Sequence, residues 1–493
     1  MKYINPVVKG FHPDPSICRV GEDFYLVNST FEFFPGVPIY HSKNLVNWEL
    51  INYCLKTDVQ LPLGECRPSH GIFAPTIRYH EGTFYMVTTN VAGGGHFYVK
   101  TDDIRGEWSE PIWVDEKGID PSFLFDDGHV YFSTTALDEA GGHGIVTGEI
   151  DIETGEMIEK LRMISHGTGG TWVEGPHLYH VGEYYYLLTA EGGTSFSHMS
   201  CMLRGTSPYG PFEESPYGPL ISHKDRMDTK IHALGHSDLV EDQNGNWFLV
   251  SLGIRTIQGA PLHHLGRETF LTQVVWTEDG WPVLANEGKV EFEMEADLPA
   301  ESYKTVNDFR DDFMGDELGL QWNYVRNPKL TNYKLAQGLF IQGDENTLSD
   351  FQPNAVGVRQ KEIQVVAQTK VCIGEIGSAG MSCFQNKEYH YDLYIEKTDE
   401  GNQVVVSLTM HGMTFVAETI SVDFDEVAFK ITGDDTQYSF YYEKDGSWQL
   451  ITSARVAGIC TEGMMYNTYT GTFCMLFAVS CNAKFEAFSL DYE

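Results

Sequence analysis

"PSICRVGEDFYLV" (residues 15–27) reads as a strand, a tight turn around Gly21 and a second strand rich in aromatic and aliphatic residues. The same shape returns four times: "PTIRYHEGTFYMV" (75–87), "PSFLFDDGHVYFS" (121–133), "GPHLYHVGEYYYLL" (175–188) and "SDLVEDQNGNWFLV" (237–250). Each turn carries a glycine beside Asp, Glu, Asn or His, residues that tolerate the positive φ of a short hairpin. A second signature falls between several of these hairpins: "HSKNLVNW" (41–48), "TDDIRGEW" (101–108) and "GTSPYGPF" (205–212). Two hairpins per repeat make a four-stranded blade. The repeats begin roughly 45 to 60 residues apart, a propeller period and too long for helical or leucine-rich solenoids. The fold class expected is all-β, with a five-bladed propeller over residues 1–300.

Beyond "WPVLANEGKVEFEMEADLPAES" the hairpin repeat stops, and "DFRDDFMGDELGLQWNYVRNP" opens a second region at Asp308. Strand-like runs such as "YHYDLYIEK", "QVVVSLTMHG" and "YSFYYEKDGSWQLI" predict a Greek-key or jelly-roll β-sandwich over 308–493.

Charge narrows the partners. The chain has 493 residues, with 33 Lys and Arg against 70 Asp and Glu, a formal charge of −37. That balance disfavours a nucleic-acid backbone or an anionic membrane as partner. The segment "MKYINPVVKG" lacks an apolar leader core, so a cytoplasmic location is expected. The 9 cysteines are scattered without a CxxC pair and read as buried thiols. The sequence leaves the oligomeric state open, a homo-oligomer included.

In a propeller the inner strands run along a central channel, and the residues just ahead of them gather at one mouth. In the five repeats that position holds Asp14, Ala74, Asp120, Glu174 with Gly175, and His236. Asp before Pro is a common turn former, so Asp14 or Asp120 alone would say little. Three acids converging on one mouth repel each other, and such strain points to function. Paired carboxyls in an aromatic-walled pocket suit glycoside hydrolysis, in which one carboxyl protonates the leaving oxygen and another activates water or attacks the sugar. Glu174 is expected to be protonated near working pH, raised by burial beside Trp172 and by repulsion from a charged Asp120.

"HPDPSI", "FAPTIRYHEGTFYMVTTN", "GIDPSF", "WVEGPHLY", "GHSDLV" and "HHLGRETF", in this order, resemble the motifs of glycoside hydrolase family 43, the β-xylosidase and α-L-arabinofuranosidase family. The resemblance spans about the first 290 residues, and a trailing sandwich is typical of its xylosidase-type members. It implies an inverting enzyme with Asp14 as general base, Glu174 as general acid and Asp120 as the third acid that tunes and orients Glu174. It implies that Arg267 reaches substrate hydroxyls and pairs with the base-side carboxylate. It also implies that His236 lines the site or helps hold a central calcium ion through water; no cofactor is required. Phe31 and Phe73 are expected to wall the sugar pocket, although some relatives carry Trp where Phe73 stands. Tyr469, from a sandwich loop, is expected to close it. The adjacent His263 and His264 read as strand neighbours facing opposite ways, and so not as a metal pair.

The function expected is removal of xylosyl residues from the non-reducing ends of xylooligosaccharides. An α-L-arabinofuranosidase acting on arabinose side chains is the alternative within the class. A non-catalytic carbohydrate-binding propeller would have no use for three acids. A retaining fructan hydrolase would need Asn-Asp-Pro-Asn and Arg-Asp-Pro blocks, which "HPDPS" and "GIDPS" do not supply.

Overall fold

The five hairpins form the inner halves of five antiparallel sheets, four of them four-stranded and that of blade IV five-stranded, with Ile221–Ser222 added on Met199–Gly205. The structure, a computed structural model, describes residues 1–257, 261–301, 307–465 and 468–492. Blade I runs Ser16–Val20, Asp23–Val27, Gly36–Ser42 and Glu49–Leu55. Blade II runs Thr76–His80, Thr83–Asn90, Gly95–Thr101 and Ile112–Val114. Blade III runs Ile119–Asp126, His129–Leu137, His143–Glu149 and Arg162–Ser165. Blade IV is built on Glu174–Val181, Tyr184–Glu191, Met199–Gly205 and Glu213–Glu214. Blade V runs Ile231–Glu241, Trp247–Arg255, Glu268–Trp276 and Pro282–Leu284. The second signature, "HSKNLVNW" and its relatives, links the third and fourth strands of blades I, II and IV.

Apolar residues fill the gap between each neighbouring pair of blades. Ile39 and Met86 share a core between blades I and II, and Val87 and Phe132 share one between II and III. Ile145 and Leu187 meet between III and IV, Leu188 and Leu249 between IV and V, and Leu26 and Val250 between V and I. Each such buried side chain contributes about 1.5–3 kcal/mol through its removal from water. The ring is also tied by polar contacts: Asp238 of blade V accepts from Ser16 Oγ at 2.6 Å and from the Ile17 N–H at 3.0 Å in blade I. Lys2–Ile4 pairs with Glu293–Glu295, which brings the start of the chain to the end of the propeller.

The region from Phe309 forms two eight-stranded antiparallel sheets packed over one core that includes Val371, Phe429, Leu476 and Phe485. One strand of these sheets comes from the propeller. Phe33–Phe34 pairs with Asn323–Val325, so blade I lends its loop to the edge of a sandwich sheet. The Phe33 ring stacks on Phe473 at 4.1 Å, and a shared cluster of Phe11, Phe31, Phe33, Phe384 and Phe473 cements the two units. Arg326, fully buried, donates to the Cys66 carbonyl from Nε at 2.9 Å and Nη2 at 2.6 Å. The sandwich is therefore fused to the propeller face that carries the strand starts. All nine cysteines are unpaired and all but Cys372 are buried. Among the described residues no helix is long and apolar enough to cross a membrane.

Candidate active site

The inner strands do not enter the channel smoothly. Asp14, Asp120 and His236 adopt left-handed backbone angles, with φ of 49°, 56° and 44°. For residues with a Cβ this costs about 1–3 kcal/mol each and persists only where the surroundings enforce it. The inner hairpins of blades III, IV and V also lose register here: between Ile119 and Ser122, between Glu174 and His177, and between Gly235 and Ser237. Such bulges re-aim side chains that regular pleating would send elsewhere. Their combined effect brings Asp14, Asp120, Glu174 and His236 into one small pocket of about 80 Å³ with Arg267, Phe31, Phe73 and Tyr469. All eight residues singled out in the sequence meet there. Gly175 makes this approach possible: at φ 55° it lies under His236, whose Nε2 would be 3.0 Å from a Cβ at that position.

Asp14 is 5% exposed, and Arg267 Nη1 donates to its Oδ1 at 3.0 Å. Ser29 Oγ donates to Oδ2 at 2.5 Å, and His236 Nδ1 lies 3.7 Å from Oδ1. Burial alone would raise the Asp14 pKa, but Arg267, His236 and Ser29 together hold it below the ordinary aspartate range. Glu174 is pushed the other way, to about 7, first by burial and then by the negative charge of Asp14, with Arg267 opposing. Asp120 is raised well above the ordinary range by burial and by the two neighbouring carboxyls, although the Gly175 N–H donates to it. One mouth thus holds a charged carboxylate, Asp14, beside a protonated pair.

Two expectations need correction. The charge that opposes ionisation of Glu174 is Asp14's, because buried Asp120 is itself kept neutral. Trp172 does not bury Glu174: it is 55% exposed and packs edge-on against His143 at 4.6 Å, outside the pocket. Desolvation comes instead from the aromatic wall and the blade ends. Phe31 is fully covered and stands behind Phe73 at 5.4 Å and Tyr469 at 5.6 Å. The Arg267 guanidinium lies 5.2 Å from the Tyr469 ring centre, and the Tyr469 N–H donates to Ser69 Oγ at 2.9 Å across the junction between the two units.

Sequence reading missed Ser29, Thr194 and His198. Ser29 was findable: the hairpin register pairs Ser16 with Val27, and two more residues along each strand set Asp14 against Ser29. Thr194 and His198 line the pocket from the blade IV loop, which only tertiary folding brings there. His198 Nδ1 faces the Ala233 carbonyl at 3.1 Å, and burial next to His236 lowers its pKa to about 3, so it is neutral. His263 and His264 lie on a loop, not a strand. His263 pairs with Glu462 at 2.6 Å, while His264 faces Thr472 and Tyr438.

A calcium ion beside His236 would find poor company. Calcium takes six to eight oxygen ligands; the carboxylate near His236, Asp14, is already engaged by Arg267 and Ser29. Deeper in the channel the Arg78 guanidinium bonds Asp238 at 2.8 Å, His177 at 2.9 Å and Ser16 at 3.3 Å, linking strands of four blades around a fixed positive charge. The residues present do not fit a metal there. Among the described residues, no group of three or more His, Cys, Asp or Glu is placed to hold one.

Comparison with known proteins agrees with this geometry. Residues 3–282 match the family model "Glycosyl hydrolases family 43", and residues 310–491 match "Beta xylosidase C-terminal Concanavalin A-like domain". The chain is 39% identical over 489 residues to a non-reducing end alpha-L-arabinofuranosidase of Bacteroides ovatus, covering 96% of this chain and 90% of that protein. It is 37% identical over 477 residues to a xylosidase/arabinosidase of Butyrivibrio fibrisolvens, covering 91% and 90%. The crystal structure of a xylan beta-1,4-xylosidase from Bacillus halodurans superposes with a TM-score of 0.94 at 31% identity, covering 99% of this chain and 100% of that one.

Proposed function

The chain belongs to glycosyl hydrolases family 43, and from that premise we propose that it is an exo-acting, inverting β-D-xylosidase that trims xylosyl residues from the non-reducing ends of xylooligosaccharides. The observation that carries the reading is the split in protonation at one mouth: Asp14 charged, Glu174 protonated up to about pH 7. Glu174 gives its proton to the glycosidic oxygen as the bond from the anomeric carbon breaks. A water attacks that carbon from the opposite face and loses its proton to Asp14, so the released sugar has inverted configuration. Arg267 holds Asp14 ionised and oriented, and its fork is placed to take sugar hydroxyls as well. Neutral Asp120, which accepts from the Gly175 N–H, stands in the cluster without adding a second charge beside Glu174. The cap of Tyr469 and the small pocket volume favour a single terminal sugar over an internal stretch of polymer.

Arabinofuranoside cleavage is the second reading, favoured by the arabinofuranosidase of Bacteroides ovatus at 39% identity. Both readings use the same three carboxyls. Nitrophenyl β-D-xyloside and nitrophenyl α-L-arabinofuranoside compared by kcat/KM decide between them. Proton NMR of the first-formed sugar checks inversion, and a retained anomer would remove Asp14 from the role of base.

A further inference from the structure

A second pocket, of about 400 Å³, lies behind the segment that carries Asp14. Val8, Lys9, His12, Tyr40, Trp48 and Lys361 are among the residues that line it. In a chain of net charge −37 this pocket gathers three lysines, Lys2, Lys9 and Lys361, and among the described residues no acidic side chain lines it. Lys361 sits partly buried, with Arg359 and Lys9 as like-charged neighbours, and burial followed by those two charges lowers its pKa. Its sequence neighbour Glu362 is already committed to Lys9 and Arg255 and accepts from Asn307 Nδ2 at 3.4 Å. Among the described residues none accepts a hydrogen bond from Lys361 Nζ. A partly desolvated ammonium without an acceptor is costly, and an anion placed against it relieves that cost.

The rest of the lining suits a ring. Trp48 and Val8 offer apolar surface, and the aromatic face of a Trp matches the C–H face of a sugar. His12 is neutral and internally satisfied, with Nε2 taking the Tyr40 hydroxyl at 2.6 Å and Nδ1 facing the Lys9 carbonyl at 2.9 Å. It therefore does not compete with Lys361 for an anion. The His12 N–H donates to the Arg267 carbonyl at 2.9 Å, so this lining is joined to the residue that holds Asp14.

We propose that this pocket binds a small oxyanion carried on a monosaccharide ring, a uronate or a sugar phosphate, with Lys361 Nζ as its main charge partner. Calorimetric titration of the full chain at low ionic strength with glucuronate, glucose 6-phosphate and neutral glucose tests it. At least one anion should bind saturably with 1:1 stoichiometry, and the tighter of the two identifies the anionic group. Lys361→Met should weaken that binding about tenfold or more, as loss of a charged hydrogen bond does, while Lys361→Arg should keep it. Raising the salt concentration should weaken binding to the unaltered protein, a measurement that needs no variant to fold. Binding of neither anion, equal binding of glucose, or affinity unchanged in Lys361→Met or in high salt would each overturn the proposal.

Discussion

Replacing Glu174 with Gln keeps the shape of the side chain and removes the acidic carboxyl proton that it can donate. At pH 7 a carboxyl with a pKa of about 7 is half protonated. At the ordinary value of 4.5 only ~0.3% would be, so the environment of this mouth raises the population of working acid roughly 150-fold. General acid catalysis contributes about 10²–10⁴ in rate when the leaving group is poor. Glu174→Gln should therefore lose about 10²–10⁴ in kcat/KM on xylobiose but less than about tenfold on a dinitrophenyl xyloside, whose leaving group departs without a proton. The pH profile supplies the second half of the test. With xylobiose the wild-type enzyme should lose activity as pH rises through about 7, where Glu174 gives up its proton. With the dinitrophenyl substrate the variant should show no such alkaline limb. Equal losses on both substrates, or an alkaline limb near 7 surviving in Glu174→Gln, would refute the assignment of Glu174 as the acid.

Further outcomes follow from the same geometry. Because the folded-state pKa of Glu174 is raised from about 4.5 to about 7, its contribution to stability is fully present below pH 4.5 and is lost as pH rises through 7. Thermal melts should thus show Glu174→Gln gaining on wild type between pH 5 and pH 8, by up to about 3 kcal/mol. Arg267→Met removes the cation that holds Asp14 low, so the acidic limb of kcat/KM should move to higher pH; an unmoved limb would dissociate Arg267 from Asp14. Gly175→Ala places a Cβ 3.0 Å from His236 Nε2 at φ 55°, and chemical denaturation should register a loss of about 1–3 kcal/mol together with lower kcat.

The propeller was legible because hairpin chemistry is local. A glycine flanked by turn formers and followed by paired aromatics marks each blade, and no distant contact is needed to read it. The strand-start carboxyls were legible for the same reason, since their repeat position carries over to a common place at the channel mouth. What could not be read depends on distance. His198 reaches the pocket through the packing of blade IV on blade V, and Trp172, in a left-handed backbone at φ 56°, packs on His143 of blade III and is left 55% exposed. The charge expected on Asp120 differs from the one its surroundings impose, because a carboxyl's ionisation depends on its burial and on all its neighbours at once. Asp120 is raised well above the ordinary range first by burial and then by the company of Glu174 and Asp14, a combination that spacing does not encode. Likewise nothing in "STFEFFPG" announces that Phe33 and Phe34 belong to a sheet whose other strands follow nearly three hundred residues later.

That loan of Phe33–Phe34 has a consequence for biosynthesis. A ribosome extends the chain at roughly 5–20 residues per second. The first blade therefore emerges about 15–60 seconds before Asn323–Val325 exists to pair with it. Through that interval two phenylalanines that end buried have no sandwich sheet to join, and the Phe473 ring that stacks on Phe33 arrives later still. The nascent first blade thus carries these side chains without their sheet partners through that interval, and the order of translation, not only the final energy, bears on how the fold is completed.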